Sequence, residues 1–299
     1  MVFSTRLVEL QIGSITLGYD DAIIPFLHAL SSASGLQDLK IISVTTFRPA
    51  GVTPNLGAFP NSSIEFPSLR SLHLQNLYFN TLELFLPLIT PFWHCLTLFL
   101  TRRCLKVKML EGNGLNNGQA QPSKLDRIAN LVTLLKPLSL HALTIGEREE
   151  SSGVWLDVPM FQALLKGLPT LKTLKLHNWL IQGDAWSGLT RPHSVKSSPQ
   201  AHSFAALENL YLSAIRIRTL PLDGFQRMVA SHPLQRVVLE GVTESLPYKV
   251  LPPSNKYEKY SLGKDNRIAR WLSENVPEFR LVDRQECLPE FYLDQWQLW

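Results

Sequence analysis

The sequence predicts an α/β solenoid, with parallel strands on a concave face, helices and loops on the convex face, and the outline of a horseshoe. Three observations predict it. A short pattern (apolar, two variable, apolar, one variable, apolar) occurs eight times along the chain. Between many of the copies lies a stretch with helical periodicity. The joins from helix to strand are short and alike, as in KGLPTLKTLKL from Lys166, EFPSLRSLHL from Glu65 and SHPLQRVVL from Ser231.

The copies are LVELQI from Leu7, LQDLKI from Leu36, LRSLHL from Leu69, WHCLTL from Trp93, LHALTI from Leu140, LKTLKL from Leu171, LENLYL from Leu207 and LQRVVL from Leu234. Their starts fall 24 to 47 residues apart. Within each, alternate residues point to opposite faces, the two-residue period of a strand. The leucines therefore turn inward, and Leu72, Leu74, Leu174, Leu176, Leu210 and Leu212 are expected on one continuous core. Position nine of the copies holds Ile15, Val44, Leu77, Thr101, Arg148, Trp179, Ile215 and Val242. This composition predicts turns packed by apolar contact, with no asparagine ladder.

Helices are expected over Asp20–Ala33, Lys124–Lys136, Asp157–Leu168, Asp223–Ala230 and Asp265–Asn275. In the first of these, Ile23, Ile24, Leu27 and Leu30 form an apolar stripe. Asp157 and Asp223 stand at cap positions, and Pro159 lies in a first turn, where proline is tolerated. Strand and helix alternating over short links require right-handed crossovers between parallel strands.

Thr46–Pro67, Glu111–Ser123 and Ser187–Ser203 are polar, without periodicity, and read as surface loops. The pattern resumes after each, so the chain reads as one domain over residues 1–299. Repeats run from about 7 to 242, and a C-terminal cap covers about 243–299, rich in aromatics (Trp271, Phe279, Phe291, Tyr292, Trp296, Trp299). At the other end the first strand follows Met1 closely. Leu7, Leu10 and Ile12 are thus expected to show their outer side to water, unless an N-terminal cap or another chain covers them.

The chain has 299 residues, of which 45% are hydrophobic and 18% charged, a balance that folds. Its net charge of +4, from 29 basic and 25 acidic residues, does not point to nucleic acid. Three scattered cysteines (Cys95, Cys104, Cys287) form no disulfide framework and fit a reducing compartment, the cytoplasm or nucleus. The start MVFSTRLVELQIGS lacks the apolar core of a secretion signal, so the Asn61 sequon is expected to stay unglycosylated. The uncharged run Leu84–Leu100, with Arg102, Arg103, Lys106 and Lys108 after it, is the one alternative to a non-membrane reading. Pro87 and Pro91 interrupt it, and its second half is itself a repeat copy.

On these strand motifs and joins, the chain from about Leu7 to Val242 resembles the leucine-rich-repeat family. It looks most like the irregular repeats of fungal F-box/leucine-rich-repeat proteins. The resemblance implies a substrate-recognition arm of a ubiquitin ligase adaptor. The F-box itself, a short helical segment expected before the repeats, is not present in this chain.

No chemistry-bearing constellation emerges from the residues. The glycines of Gly112–Gly118 (GNGLNNG) do not open a helix and lack a P-loop lysine. His73, His94, His141 and His177 occupy unmatched repeat positions and carry no metal-ligand spacing. His94 and Cys95 are strand neighbours pointing to opposite faces, so they cannot share a proton. Asp20-Asp21 reads as a helix start and Glu149-Glu150 as a solvated loop. The expectation is a non-enzymatic protein-binding module without metal or cofactor; a degenerate enzyme with a site in the insertions is the other class considered. The candidate binding residues are outward strand positions of the later copies: Lys175, His177 and Tyr211, with Trp179 and Arg236 nearby and His73 in an earlier copy. Lysine, histidine, tyrosine and tryptophan together make the polar-aromatic surface that supplies hot spots. Tyr211→Ala is expected to weaken binding while leaving folding nearly unchanged.

Overall fold

The computed structural model describes residues 4–49, 64–89, 95–110, 123–147, 155–181, 184–192, 204–218, 222–245 and 258–282. It is a mixed α/β chain whose sheets are mostly parallel. Contacts group it into two compact units, Met1–Leu140 and His141–Trp299.

In the first unit, β1 (Glu9–Gly13), β3 (Asp38–Ile42), β5 (Ser71–Gln75) and β6 (Cys95–Leu100) are four of the predicted copies. They pair in parallel in that order. The register matches the repeat: Leu10, Leu39, Leu72 and Leu96 are partners, as are Ile12, Ile41, Leu74 and Leu98. Crossovers are α1 (Ile23–Ser31), α2 (Phe79–Leu88) and, after β6, α3 (Lys124–Leu135). A second ladder pairs β2 (Thr16–Tyr19) with β4 (Thr45–Phe47), extended by a bridge between Arg48 and Met109.

The second unit repeats the scheme. β7 (Ala142–Gly146), β8 (Thr173–His177), β10 (Asn209–Arg218) and β11 (Arg236–Ser245) pair in parallel, while the short β9 (Leu180–Ile181) extends the edge of β10. Leu143, Leu174, Leu210 and Val237 form one row of partners. Helices α4 (Val158–Gly167), α5 (Ala185–Leu189), α6 (Leu222–Ala230) and α7 (Arg267–Asn275) belong to this unit. So do β12 (Glu258–Ser261), antiparallel to β11, and β13 (Glu278–Leu281), parallel to it.

All eight copies are strands, and the six leucines expected in the core are buried. The expected helices fall within a few residues of α1, α3, α4, α6 and α7. Their termini follow the local chemistry. Asp157 accepts from the Met160 N–H at 3.0 Å with Pro159 in the first turn, and Ser123 and Asp126 form a reciprocal capping box. Asp223, expected as a cap, lies inside the first turn of α6.

The run Leu84–Leu100 is divided, since α2 ends at Leu88 and β6 begins at Cys95. No helix among the described residues is long and apolar enough to cross a membrane. Residues 111–122, with the glycine-rich motif, and the aromatics beyond Val282 lie outside the described residues, as does His94.

Two features were not read from the sequence. The first is a ninth copy. Val276, Phe279 and Leu281 repeat the apolar pattern, and β13 continues the register with Val237↔Phe279 and Leu239↔Leu281. The repeat therefore extends beyond Val242 into the region expected to be a cap. Trp271, on α7 just before it, packs edge-on against Phe225, whose ring lies 4.7 Å from that of Trp186.

The second is a polar ladder one position earlier than sought. Position eight is left-handed in Ser14, Ser43, Asn76, Asn178 and Ala214, with φ between 51° and 56°. That kink turns each chain out of its strand. Ser14, Ser43, Asn76 and Asn178 each donate a backbone N–H to a carbonyl of the next strand. The Asn76 amide then donates to Ser43 Oγ at 2.7 Å and accepts from Thr101 Oγ1 at 2.7 Å. Asn178 donates to the Glu147 carbonyl. The turns are thus held by hydrogen bonds, correcting the expectation of apolar packing alone; serine and asparagine suit the place because their side chains tolerate the left-handed region.

The first strand differs from its successors. Leu10 and Ile12 are half-buried, whereas Leu39 and Ile41 are fully buried, because among the described residues β1 has one neighbouring strand and β3 has two.

His232 lies in the core of the second unit. Its Nδ1 accepts from the Leu207 N–H and its Nε2 contacts the Leu189 carbonyl at 2.7 Å. Burial holds its pKa below the ordinary 6.5, outweighing the Leu189 hydrogen bond that favours the charged form; Arg191 lowers it further. The neutral ring is therefore the folded form, and the unfolded chain binds the proton first as the pH falls. The stability this group contributes is fully present above about pH 6.5 and declines below it, toward the lowered folded pKa. Denaturant midpoints measured against pH should show this decline in the wild type and a flatter profile in His232→Gln. Parallel profiles would refute it.

Candidate protein-binding face

Parallel pairing without slippage brings equal repeat positions side by side, about 4.8 Å apart. In the second unit, position five runs Thr144, Lys175, Tyr211 and Val238 across neighbouring strands. Lys175 and Tyr211 are direct partners, and the lysine ammonium lies 5.2 Å from the tyrosine ring centroid. A cation over a ring face is attracted by its quadrupole. Arg236 reaches the same residue from β11, its Nη1 donating to the Tyr211 hydroxyl at 3.4 Å. Its Nε meets Glu278 of β13 at 2.8 Å. The hydrogen bond that Arg236 donates to Glu278, then the one it donates to Tyr211, raises the guanidinium pKa, so Arg236 is charged at every accessible pH.

Position seven adds a second row on this face. His177 is the register partner of Ser213, and the Ser213 hydroxyl donates to Glu240 Oε2 at 2.6 Å. Three residues of hydrolytic triads thus stand on adjacent strands, but in the wrong order. The serine proton is committed to the carboxylate, not to the histidine, and both Ser213 and Glu240 are buried. The arrangement is a buried polar pair fixing the strands.

The structure brings Lys175, His177, Tyr211 and Arg236 together and separates two other candidates. Trp179 is only 3% exposed and packs edge-on against Phe161 and Trp155, with ring centroids 5.4 and 5.8 Å away. It is a core residue, because position nine has already turned behind the strand. His73 belongs to the first unit, where it is buried and its Nε2 lies 3.0 Å from Gln75 Oε1. Tyr211 is itself 8% exposed and clusters with Val238 and Val282. Its removal therefore costs stability, contrary to the sequence expectation. What the face offers from this cluster is the half-exposed Lys175, held up by the ring beneath it, with the Arg236–Glu278 pair alongside.

The residues that sequence reasoning missed lie in the first unit, around Arg48. This guanidinium is nearly buried between Asp20 Oδ2 at 2.9 Å and Glu83 Oε2 at 2.8 Å. Thr46 Oγ1 and Asn80 Nδ2 donate to Asp20 Oδ1, and the Asn80 side-chain Oδ1 accepts the Lys108 N–H. Asp20 was read as a helix start, and it does lie in a 3-10 turn ahead of α1. Its partners are 26 to 60 residues away, a separation no local pattern reports. These polar groups satisfy one another within the cluster, which suits a structural lock between turns of the chain. An apolar groove of about 540 Å³ lies near it between α2 and α3, lined by Phe79, Leu86, Pro87, Leu134 and Pro137 among others.

Among the described residues, no group of three histidine, cysteine or carboxylate side chains has metal-binding geometry. No protein-family model matches the chain, and no curated protein matches it in sequence.

Proposed function

We propose that the chain is a leucine-rich-repeat solenoid whose strand face holds another protein. One observation supports this above the others: equal repeat positions stand in register across successive strands, so a row of side chains from distant parts of the sequence forms one surface. Repeat architectures use such rows as extended binding surfaces. Lys175 and Arg236, packed on the buried Tyr211 ring, give that surface a charged centre, and arginine is among the residues enriched at binding hot spots. The role we assign is recognition without chemistry, as in the substrate arm of an F-box-type adaptor, with any catalysis supplied by partners. A reducing compartment, cytoplasm or nucleus, suits a chain with three scattered cysteines, of which Cys104 is buried.

The test is the affinity for a protein that co-purifies with the full chain. Lys175→Glu should weaken that complex by about 2 kcal/mol, the scale of a hot spot. Lys166→Glu, on the exposed side of α4, should leave it unchanged. Equal affinities for wild type and Lys175→Glu would contradict the proposal, provided the two proteins melt alike.

A further inference from the structure

We propose a second docking site, on the first unit, for an acidic peptide segment of a partner protein that carries apolar residues between its carboxylates. It goes beyond the strand-face reading and does not depend on it. The site is a row of alternating rings and cations. Tyr19 of β2 is the register partner of Phe47 of β4. The Lys108 ammonium lies 5.9 Å from the Phe47 ring and 5.9 Å from the Tyr78 ring, and the Arg103 guanidinium stands 5.3 Å from that same Tyr78 ring.

Two cations thus converge on one ring, and like charges so placed repel unless an anion joins them. Among the described residues, none of Arg103, Lys106 and Lys108 is ion-paired. The nearby carboxylates of Asp20 and Glu83 are already taken by Arg48. Asp21 is exposed beside Tyr19, and Glu111, which follows Leu110 in the sequence, lies outside the described residues. The row therefore carries an excess of positive charge that a partner's carboxylates would neutralise.

The apolar part of the partner follows from what lies beside the cations. Val107, Met109, Leu110 and Tyr19 are 39%, 40%, 48% and 48% exposed, and Lys106 and Lys108 alternate with the first two. An extended acidic strand with alternating apolar residues matches that spacing. Two other anionic partners fit less well. Single-stranded nucleic acid needs open ring faces for its bases, and here Lys108 and Arg103 occupy them. A membrane surface needs side chains that stand clear of the protein, whereas more than half of each of these lies against it.

The test uses the full chain and a fluorescein-labelled peptide of alternating Glu and Leu with one Phe, read by anisotropy. Saturable binding is expected, weakened by added salt. Lys106→Glu together with Lys108→Glu should reduce the affinity by about tenfold or more, and Val107→Asp should reduce it as well. Lys175→Glu, on the strand face of the other unit, should have no effect, which separates failure here from failure of the strand-face proposal. An unchanged melting temperature guards the exposed-site variants against loss of fold. Absence of saturable peptide binding overturns the proposal. So does tighter binding to oligouridylate or to vesicles of phosphatidylcholine and phosphatidylserine, or peptide binding that the double variant leaves intact.

Discussion

Arg48→Met should destabilise the chain by about 3–5 kcal/mol, the cost of breaking a buried ion pair from one side. The guanidinium joins Asp20 of the turn before α1 to Glu83 of α2, and all three side chains are largely buried. Without it, two carboxylates face each other in a poorly solvated place, and Asp20 keeps only its hydroxyl and amide donors, Thr46 and Asn80. Urea unfolding at neutral pH would measure the loss. Adding Asp20→Asn and Glu83→Gln to Arg48→Met should recover much of it, because the penalty comes from stranded charges rather than lost packing. A loss under about 1 kcal/mol for Arg48→Met alone, the scale of a surface pair, would show that water reaches this network.

Leu174→Ala should cost about 2–5 kcal/mol, the range for a buried leucine that leaves a cavity. Leu174 is fully buried and sits between Leu143 and Leu210 in the same row. The equivalent Leu10→Ala, on the half-buried edge strand, should cost clearly less. Denaturant midpoints of the two variants, at equal slope, would make the comparison. A Leu174→Ala loss below about half a kcal/mol would mean that the register of the copies is wrong.

Much of the α/β scaffold could be read from the residues because its signals are local. The copies from Leu7 to Leu234 each carry a two-residue period over a few positions, and each is a strand. Helix α4 announces itself through Asp157 and Pro159 within a single turn. The ninth copy escaped because Val276 and Phe279 replace leucine, and because an aromatic-rich surrounding suggested a cap. Helix α2 was obscured by its own hydrophobicity. Phe85 and Leu84 are core residues, but a run with no polar face carries no helical period to read.

Reading the site was harder. Strand alternation alone put Lys175, His177 and Tyr211 on one face, and parallel register kept them adjacent. It could not tell an exposed position from one covered by neighbours, so the depth of Tyr211 was missed. Trp179 was misplaced because alternation stops at the left-handed residue Asn178, whose φ of 51° turns the chain. Asn76, Ser43 and Thr101 form their ladder across three copies, which becomes visible only once the strands are aligned.

The central claim is that the strand face, not the helix side, meets the partner. Photo-crosslinking amino acids placed one at a time at Thr144, Lys175 and Arg236, and at Lys166, Arg227 and Arg270 on the helices, would test it directly in the co-purified complex. Crosslinks to one and the same polypeptide from the three strand positions, with none from the helix positions, are the result predicted here. Crosslinks from the helix positions, with none from the strands, would contradict it.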